Sequence, residues 1–286
     1  MMTFRDMALI LTQQLYAPAA TSRRDVYIAA DTARAVKCTA ASQQPVPIAS
    51  LPWYDLPATA AHLDSLWRQL RHPLEELSGL RLPDSLQRDI DVTVQWQSPG
   101  LVLSQCCGPD LLGRARELVV IGQPVLAGLD CSPGEYFSHV IARPGYELPR
   151  ESRIAVNSTS SWSGHHALLK WMQAAGLSPA ETVTSGAHAR SIELVSSGAA
   201  DLAAIDAFSW KFLEHGGLTV IDDTHTAPAP PLVCHPRSPL PPDVVGEVLR
   251  RVLAEYPHPM FKAMLPASRQ LYEEFLGKES HIINNR

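Results

Sequence analysis

The amino-acid sequence predicts an α/β protein with largely parallel sheets. Short apolar runs alternate with helical patterns over most of the 286 residues, which is typical of strands connected by helices. Two extended segments, 136–142 and 227–233, bracket the middle of the chain and indicate two crossings between lobes. Hydrophobic residues make up 45% of the chain and charged residues 19%, a composition that supports a packed core.

The first half of the chain predicts several short strands and one long helix. IASL (48–51) predicts a buried strand, and the turn-like PWYDLP follows it. Apolar residues then recur at helical spacing, at Leu63, Leu66, Trp67, Leu70, Leu74 and Leu77. Further strands are predicted at Val92–Trp96, by alternation, and at LVLS (101–104), LVVIG (118–122) and YFSHVIA (136–142).

The second half alternates strand and helix more regularly. Strands are predicted at RIAV (153–156), DLAAID (201–206) and LTVI (218–221). Helices are predicted after residue 164, ending near Gly176, and at 187–196, 207–217 and twice in the tail after residue 240. APAPPLV (227–233) is rich in proline and therefore predicts an extended connector.

These elements predict two lobes and an extension. The chain is expected to cross into the second lobe near residue 140 and to return near residue 228. We therefore expect one lobe from 46–140 plus 226–286, a second lobe from 141–225, and an ill-defined N-terminal extension at 1–45.

Composition and motifs exclude several classes of protein. A net charge of -5 argues against a nucleic-acid-binding protein. The five cysteines form no CxxC pair, and Cys106 and Cys107 are expected to be buried. Neither a P-loop nor HExxH occurs, so no cofactor or metal is expected. No apolar run reaches ~20 residues, so no membrane insertion is expected, and residues 1–23 lack the apolar core of a signal peptide.

The stretch NSTSSWSGHHALLKWM (157–172) places many hydroxyls at the predicted start of a helix. The first N–H groups of a helix have no intrahelical partner and carry partial positive charge, so this stretch can bind an oxyanion with neutral donors. Two alternatives remain open: an ordinary N-cap at Ser161 or Ser163, and a catalytic serine. The nucleophile motif GxSxG is absent, since Ser161 stands two residues before Ser163.

Two further residues are candidates for the same site. His188 follows SGA at another predicted helix start, where it either donates to an anion or lies on the surface. Asp206 ends a buried strand, and ligands of doubly wound sheets bind beyond the carboxyl ends of strands. Asp206 could contact a ligand, cap the helix that follows, or do both.

Five short pieces of the sequence occur in a telling order: ASLPWYD (49–55), LVLSQCCG (101–108), NSTSSWSG (157–164), SGAH (185–188) and ADLAAID (200–206). In this order and spacing they resemble the phosphate/phosphonate-binding proteins of ABC transporters, and the resemblance covers roughly residues 47–235. It implies a type II periplasmic-binding-protein fold, with two α/β lobes, two crossing strands and a ligand cleft.

The resemblance also implies the residues of the binding site. The helix start that cradles the phosphorus group corresponds to Ser161, Ser163 and Gly164, and the aromatic residue of the cleft to Tyr54. The histidine corresponds to His188, the acidic residue to Asp206, and a strand end of the first lobe to Ser104 and Gln105. Trp162 departs from the family pattern; it either narrows the cleft, stacks on a ligand substituent, or points away.

We therefore expect a binding protein, not an enzyme, for phosphate, phosphite or a phosphonate. Its partners would be the ligand and, if the chain is exported, an ABC permease. The resemblance implies a periplasmic location and a fold that works as a monomer. Two alternatives are a cytoplasmic ligand sensor and a hydrolase or transferase, each on the same fold.

Overall fold

The computed structural model describes residues 45–283, so the predicted extension at 1–45 lies almost entirely outside the described residues. The strands, in chain order, are β1 Ile48–Ala49, β2 Leu101–Gln105, β3 Val119–Leu126, β4 Glu135–Tyr136, β5 Ser138–Ala142, β6 Glu151–Val156, β7 Ser178–Thr184, β8 Leu202–Asp206, β9 Thr219–Asp223, β10 Ala227–Pro228, β11 Leu232–Cys234 and β12 Phe261–Leu265. The α-helices are α1 Ala60–Ser78, α2 Val92–Trp96, α3 Ala167–Ala174, α4 His188–Ser196, α5 Ala207–Trp210, α6 Pro242–Glu255 and α7 Arg269–Ile283.

Two five-stranded sheets form the framework. The first sheet has the order β1-β2-β11-β3-β12, and the second has the order β7-β6-β8-β5-β9. Strands β1 and β2 are parallel, as are β6 with β7 and β6 with β8, but the remaining pairs in both sheets are antiparallel. The sheets are therefore mixed and not largely parallel. Strands β5 and β11 follow the short strands β4 and β10 and run against their neighbours, and β12, which follows α6, runs against β3.

A two-stranded antiparallel ribbon links the sheets. Tyr136 of β4 pairs with Ala227 of β10, and Glu135 pairs with Pro228. Strand β5 begins at Ser138 and already lies in the second sheet. The ribbon thus contains both chain crossings, close to the positions expected from the sequence. The lobe boundaries at 140/141 and 225/226 stay predictions.

Alternating side chains of the second sheet supply two apolar layers. Ile154 and Val156 pack with Leu168 and Met172 of α3 on one face, whereas Ala155 packs with residues of α4 on the other. This follows from the two-residue period of a strand. In the first lobe, Leu66, Trp67, Leu70 and Leu74 of α1 are fully buried in the larger core.

Two predicted elements are wrong. Residues 92–96 form helix α2 and not a strand, because the Asp91 side chain accepts the Thr93 N–H and caps a helical turn. The helix expected over 207–217 is only the four residues of α5. His215 stacks on Trp210 at a ring-centroid distance of 3.7 Å and bonds to the Trp210 carbonyl, which turns the chain.

Strands β7 and β12 were not expected from the sequence. β7 lies at a sheet edge and is almost wholly exposed, so it lacks the apolar pattern that predicts a strand. The predicted end of the helix near Gly176 is confirmed. Gly176 has φ 72°, and the Leu177 N–H bonds back to Met172, as in a left-handed helix cap.

Candidate functional site

A cleft of about 360 Å³ lies where loops of both sheets meet. The first-lobe residues lining it are Pro52, Trp53, Leu56, Val92, Cys107, Asp110 and Arg114. The second-lobe residues lining it are Asn157, Ser158, Ser160, Ser161, Ser163, Gly186, Ala187, His188, Ala189, Asp206, Ser209 and Leu213. Of the eight site residues predicted from the sequence, Ser161, Ser163, His188 and Asp206 line this cleft.

The hydroxyl-rich stretch forms the start of a helix that points into the cleft. Strand β6 ends at Val156, and Ser161 is the N-cap, with its Oγ accepting the Gly164 N–H at 3.1 Å. The first turn, Trp162–His166, is a wide π-helical turn in which the His166 N–H reaches the Ser161 carbonyl. It continues directly into α3. The N-cap interpretation is therefore correct for Ser161, and it coexists with a position on the cleft wall.

Gly164 is required by a close approach inside this turn. A Cβ at Gly164 would lie 2.0 Å from Asn157 Oδ1 and 3.1 Å from His188 Cε1. Glycine thus allows the Asn157 amide and the His188 ring to pack against the first helical turn. Gly164 itself lies behind the cleft-lining side chains and not among them.

Ser163 and His188 form a neutral hydrogen-bonding pair. Ser163 Oγ lies 3.1 Å from His188 Nε2. Burial lowers the pKa of His188 to about 4, so the imidazole is uncharged at neutral pH. A serine hydroxyl has one donor and two acceptor positions, so Ser163, which bonds to His188 and also to the buried Tyr136, retains at most one position for a ligand. The pair therefore offers polar contacts to a ligand without adding charge.

Asp206 connects the two lobes at the cleft. Its Oδ1 accepts the N–H groups of Phe208 and Ser209 at 2.8 and 2.9 Å, which caps α5, and its Oδ2 accepts the Tyr54 hydroxyl at 3.2 Å. Burial raises the pKa of Asp206 to about 6, although these three hydrogen bonds favour the ionised form. Tyr54 is buried beneath the cleft, edge-on to Phe208 at 4.9 Å, and does not line it.

Ser104 and Gln105 lie apart from the other predicted residues. Both are fully buried in β2, which the sheet encloses between β1 and β11. Ser104 Oγ bonds to Ser50 and accepts the Trp96 indole N–H, and Gln105 donates to the Pro230 carbonyl. The buried Oε1 of Gln105 has no hydrogen-bond partner. Neither residue lines the cleft, whose lining on this segment begins farther along the chain, at Cys107.

The other fifteen residues that line the cleft were not among the predicted site residues; those whose side chains offer most to a ligand are Trp53, Asp110, Arg114 and Asn157. Trp53 directly precedes the predicted site residue Tyr54, and Asn157 begins the hydroxyl-rich stretch. The sequence does not show that the side chains of Trp53 and Asn157 point into the cleft. Asp110 and Arg114 stand four residues apart and pair through a hydrogen bond of 2.9 Å. That spacing is a readable signal for a salt bridge on one helical turn, but it does not reveal that the turn faces a cleft.

Trp162 points away from the cleft. Its ring is buried and packs edge-on against Phe275 of α7 with centroids 4.7 Å apart, while its backbone N–H donates to the Cys107 sulfur at 3.4 Å. Of the three roles left open for Trp162, only the last matches this geometry. The side chain therefore joins the site helix to the C-terminal helix.

The hydrogen bonds at His188 differ from those of a Ser-His-Asp triad in the part of the chain that the structure describes. Among the described residues, no carboxylate is hydrogen-bonded to His188, whereas a nucleophile's base needs an orienting group. The same part of the chain contains no cluster of histidine, cysteine or acidic residues that could hold a metal ion. Polar donors at a helix start, a neutral histidine and an apolar wall are features of a binding cleft.

The resemblance to the phosphonate-binding family is confirmed. Residues 136–274 match the family of ABC transporter, phosphonate, periplasmic substrate-binding proteins. That family consists of transport components and not of enzymes, in agreement with the prediction from the sequence. Among curated proteins, none is matched by this sequence. No helix in residues 45–283 combines the length and apolar composition needed to cross a membrane.

Solved structures share the fold at low sequence identity. PhnD1 from Prochlorococcus marinus (MIT 9301), in complex with methylphosphonate, has a TM-score of 0.61 and 17% identity, covering 85% of this chain and 99% of that one. A binding protein component of an ABC phosphonate transporter from Pseudomonas aeruginosa has a TM-score of 0.57 and 16% identity, and the match covers 85% of this chain and 90% of that one. A Xanthomonas citri protein bound to ATP has a TM-score of 0.55 and 13% identity, and the match covers 84% of this chain and 98% of that one. These likenesses confirm the type II periplasmic-binding-protein fold.

Proposed function

We propose that this chain, whose residues 136–274 match the phosphonate-binding family, holds a small phosphorus oxyanion in its cleft. Phosphate, phosphite and alkylphosphonates share the tetrahedral, negatively charged group that such a site would bind. In this proposal the chain delivers its ligand to an ABC permease, works as a monomer and acts in the periplasm.

The observation that carries the proposal is the helix start at Ser161–Gly164 inside the cleft. Ser161 and Ser163 are both 7% exposed, which shields their hydroxyls from competing water. The start of the helix carries a partial positive charge that favours an anion beside it. The backbone N–H groups of Trp162 and Gly164 are bound to Cys107 and Ser161, so the Ser161 and Ser163 hydroxyls are the donors that this helix start would offer to a phosphorus oxyanion.

Asp206 and His188 would refine the anion's environment. The carboxyl group of Asp206, with a pKa of about 6, has one acceptor position left beside its three donors and would accept there a hydrogen bond from the protonated oxygen of a ligand. His188 would orient the Ser163 hydroxyl toward the anion. Tyr54 would act indirectly, because its hydroxyl holds Asp206.

Isothermal titration calorimetry tests the proposal. The purified protein would be titrated with phosphate, phosphite, methylphosphonate, sulfate and acetate. We expect at least one phosphorus anion to bind, and Ser161→Ala/Ser163→Ala to weaken it by at least about tenfold, since hydrogen bonds to charged groups contribute roughly 1.5–3 kcal/mol each. Ser132→Ala/Ser178→Ala, at two exposed serines outside the cleft, is the matched control and should bind as the wild type does.

Failure of every phosphorus anion to bind would contradict the proposal. Fractionation of the native cells separates the transport role from the alternative role of a cytoplasmic sensor. Recovery of the protein in the periplasmic fraction supports delivery to a permease, and recovery in the cytoplasm supports the sensor.

A further inference from the structure

The cleft is larger than an inorganic oxyanion requires. Its volume is about 360 Å³, whereas about 10–15 Å³ of such space is enough to hold one water molecule. A five-atom oxyanion at the Ser161 end would fill only part of it. The rest of the wall includes apolar side chains from both lobes, at Trp53, Leu56, Val92 and Leu213. This space suits the organic substituent of a phosphonate.

Charged groups in the cleft are few, and both carboxylates are already engaged. Asp206 holds two backbone N–H groups and the Tyr54 hydroxyl. Asp110 is only 3% exposed, accepts the Cys107 N–H with one oxygen, and binds the Arg114 guanidinium with the other. A ligand ammonium would have to compete with these partners, so the cleft is poorly matched to an aminoalkyl substituent.

Arg114 is the one fully charged cation among the described residues that line the cleft. Its Nε and Nη2 reach Asp110 Oδ1 at 3.2 and 2.9 Å, and its guanidinium lies 5.7 Å from the centre of the Trp96 ring. Trp96 in turn stacks on Trp53 at 6.0 Å. These contacts fix the orientation of a side chain that is 55% exposed.

The bonds to Asp110 leave part of the guanidinium free to bind a ligand. Arginine has five N–H donors in a planar fork, and Asp110 occupies two of them. The remaining edge can pair with a carboxylate or a second phosphorus group through two parallel hydrogen bonds. Because Ser161 and Arg114 belong to different lobes, a ligand with an acid group at each end would bridge them.

We propose that the cleft is selective for phosphonates whose substituent carries a second acid group, and that Arg114 is the specificity-determining residue that binds this group. The inference rests on the proposed function, since it assumes that the phosphorus group occupies the Ser161 end. It adds the substrate class and the residue that selects it.

Calorimetry with three ligands of equal length tests this inference. Phosphonopropionate, propylphosphonate and aminoethylphosphonate differ only in the acidic, apolar or basic group that follows two methylenes. We expect phosphonopropionate to bind at least about tenfold more tightly than propylphosphonate, and aminoethylphosphonate to bind most weakly. In Arg114→Met the methionine side chain can still cover Trp96, but it cannot bind an acid group. Phosphonopropionate and propylphosphonate should then bind this variant about equally tightly.

Two further variants make the test specific. Arg116→Met is the matched control, because Arg116 is exposed, pairs with Glu117 and does not line the cleft; it should keep the full preference. Asp110→Asn/Arg114→Met should lose the preference as Arg114→Met does, without leaving a buried carboxylate unpaired. Thermal melts would confirm that each variant is folded.

The possible failures are distinguishable. Equal binding of phosphonopropionate and propylphosphonate, or tightest binding of aminoethylphosphonate, would overturn this inference and leave the proposed function in place. A preference that persists in Arg114→Met would overturn the role of Arg114. Absence of binding by every phosphonate would overturn the proposed function together with the inference.

Discussion

Asp206 and His188 show how burial changes single residues at the cleft. The pKa of Asp206 is raised from 3.8 to about 6, so between these values the folded protein binds more protons than the unfolded chain. Asp206 therefore makes the fold less stable as pH rises from about 4 to about 6. His188, with its pKa lowered to about 4, has the opposite effect over about pH 4 to 6.5 and masks this trend in the wild type.

We predict that Asp206→Asn, which retains an N-cap, gains up to about 3 kcal/mol of unfolding free energy relative to the wild type as pH rises from 4 to 7. Urea denaturation of both proteins across this range measures the difference, and a difference that stays constant with pH would refute the assignment.

At the scale of elements, the helix start at Trp162 depends on the missing side chain of Gly164. A Cβ there would push the end of the Asn157 side chain, which lines the cleft, and would crowd His188. We predict that Gly164→Ala weakens binding of the phosphorus ligand by about tenfold or more, while the melting temperature changes by only a few degrees, because a short polar side chain can rotate into the cleft. Gly277→Ala is the control: nothing lies within 4 Å of its Cβ, so it should raise stability by up to about 1 kcal/mol through helix propensity and leave binding unchanged. Ligand affinity that is equal in Gly164→Ala and the wild type would contradict this role of Gly164.

The elements and site residues differ in how far the sequence alone predicts them. The Ser161 cap, the buried strand before Asp206 and the fold class follow from local pattern and from resemblance, because these features are written in neighbouring residues. The placement of Ser104 and Gln105 was missed because the direction of a side chain in a central strand is set by strand pairing. β7 was missed because it is almost wholly exposed and so has no apolar pattern; it is a strand because it is hydrogen-bonded to β6. The position of Arg114 in the cleft depends on how the two lobes pack together, which local sequence patterns do not reveal.

At the scale of the whole molecule, the C-terminal helix fastens one lobe to the other. Arg269 and Tyr272 anchor α7 to the first lobe through backbone carbonyls, at Leu118 and Ala229 among others. Farther along α7, Phe275 packs on Trp162, and Glu279 pairs with Lys170 of α3; the two charged side chains are only 15% and 14% exposed. Tyr54 and Asp206 are bonded between the lobes beneath the cleft, so these contacts together stabilise the arrangement of the lobes seen in this structure. We predict that Lys170→Gln/Glu279→Gln lowers ligand affinity about three- to tenfold by shifting the unliganded population toward open lobes.

Calorimetry and small-angle scattering measure this shift. The radius of gyration without ligand should rise in Lys170→Gln/Glu279→Gln and return toward the wild-type value at saturation. The matched control is Glu247→Gln/Arg250→Gln, which removes an ion pair within the single helix α6 and should change neither quantity. A double variant with unchanged affinity and unchanged radius would show that the pair between α3 and α7 does not bias the lobes.

The central claim is that the helix start at Ser161–Gly164 binds the phosphorus group of the ligand. The most direct measurement is a crystal structure of the protein with methylphosphonate, grown without phosphate or sulfate. We predict phosphonate oxygens within hydrogen-bonding distance of the Ser161 and Ser163 hydroxyls, between closed lobes. A cleft that stays without phosphonate at saturating concentration, or a phosphonate bound away from this helix start, would contradict the claim.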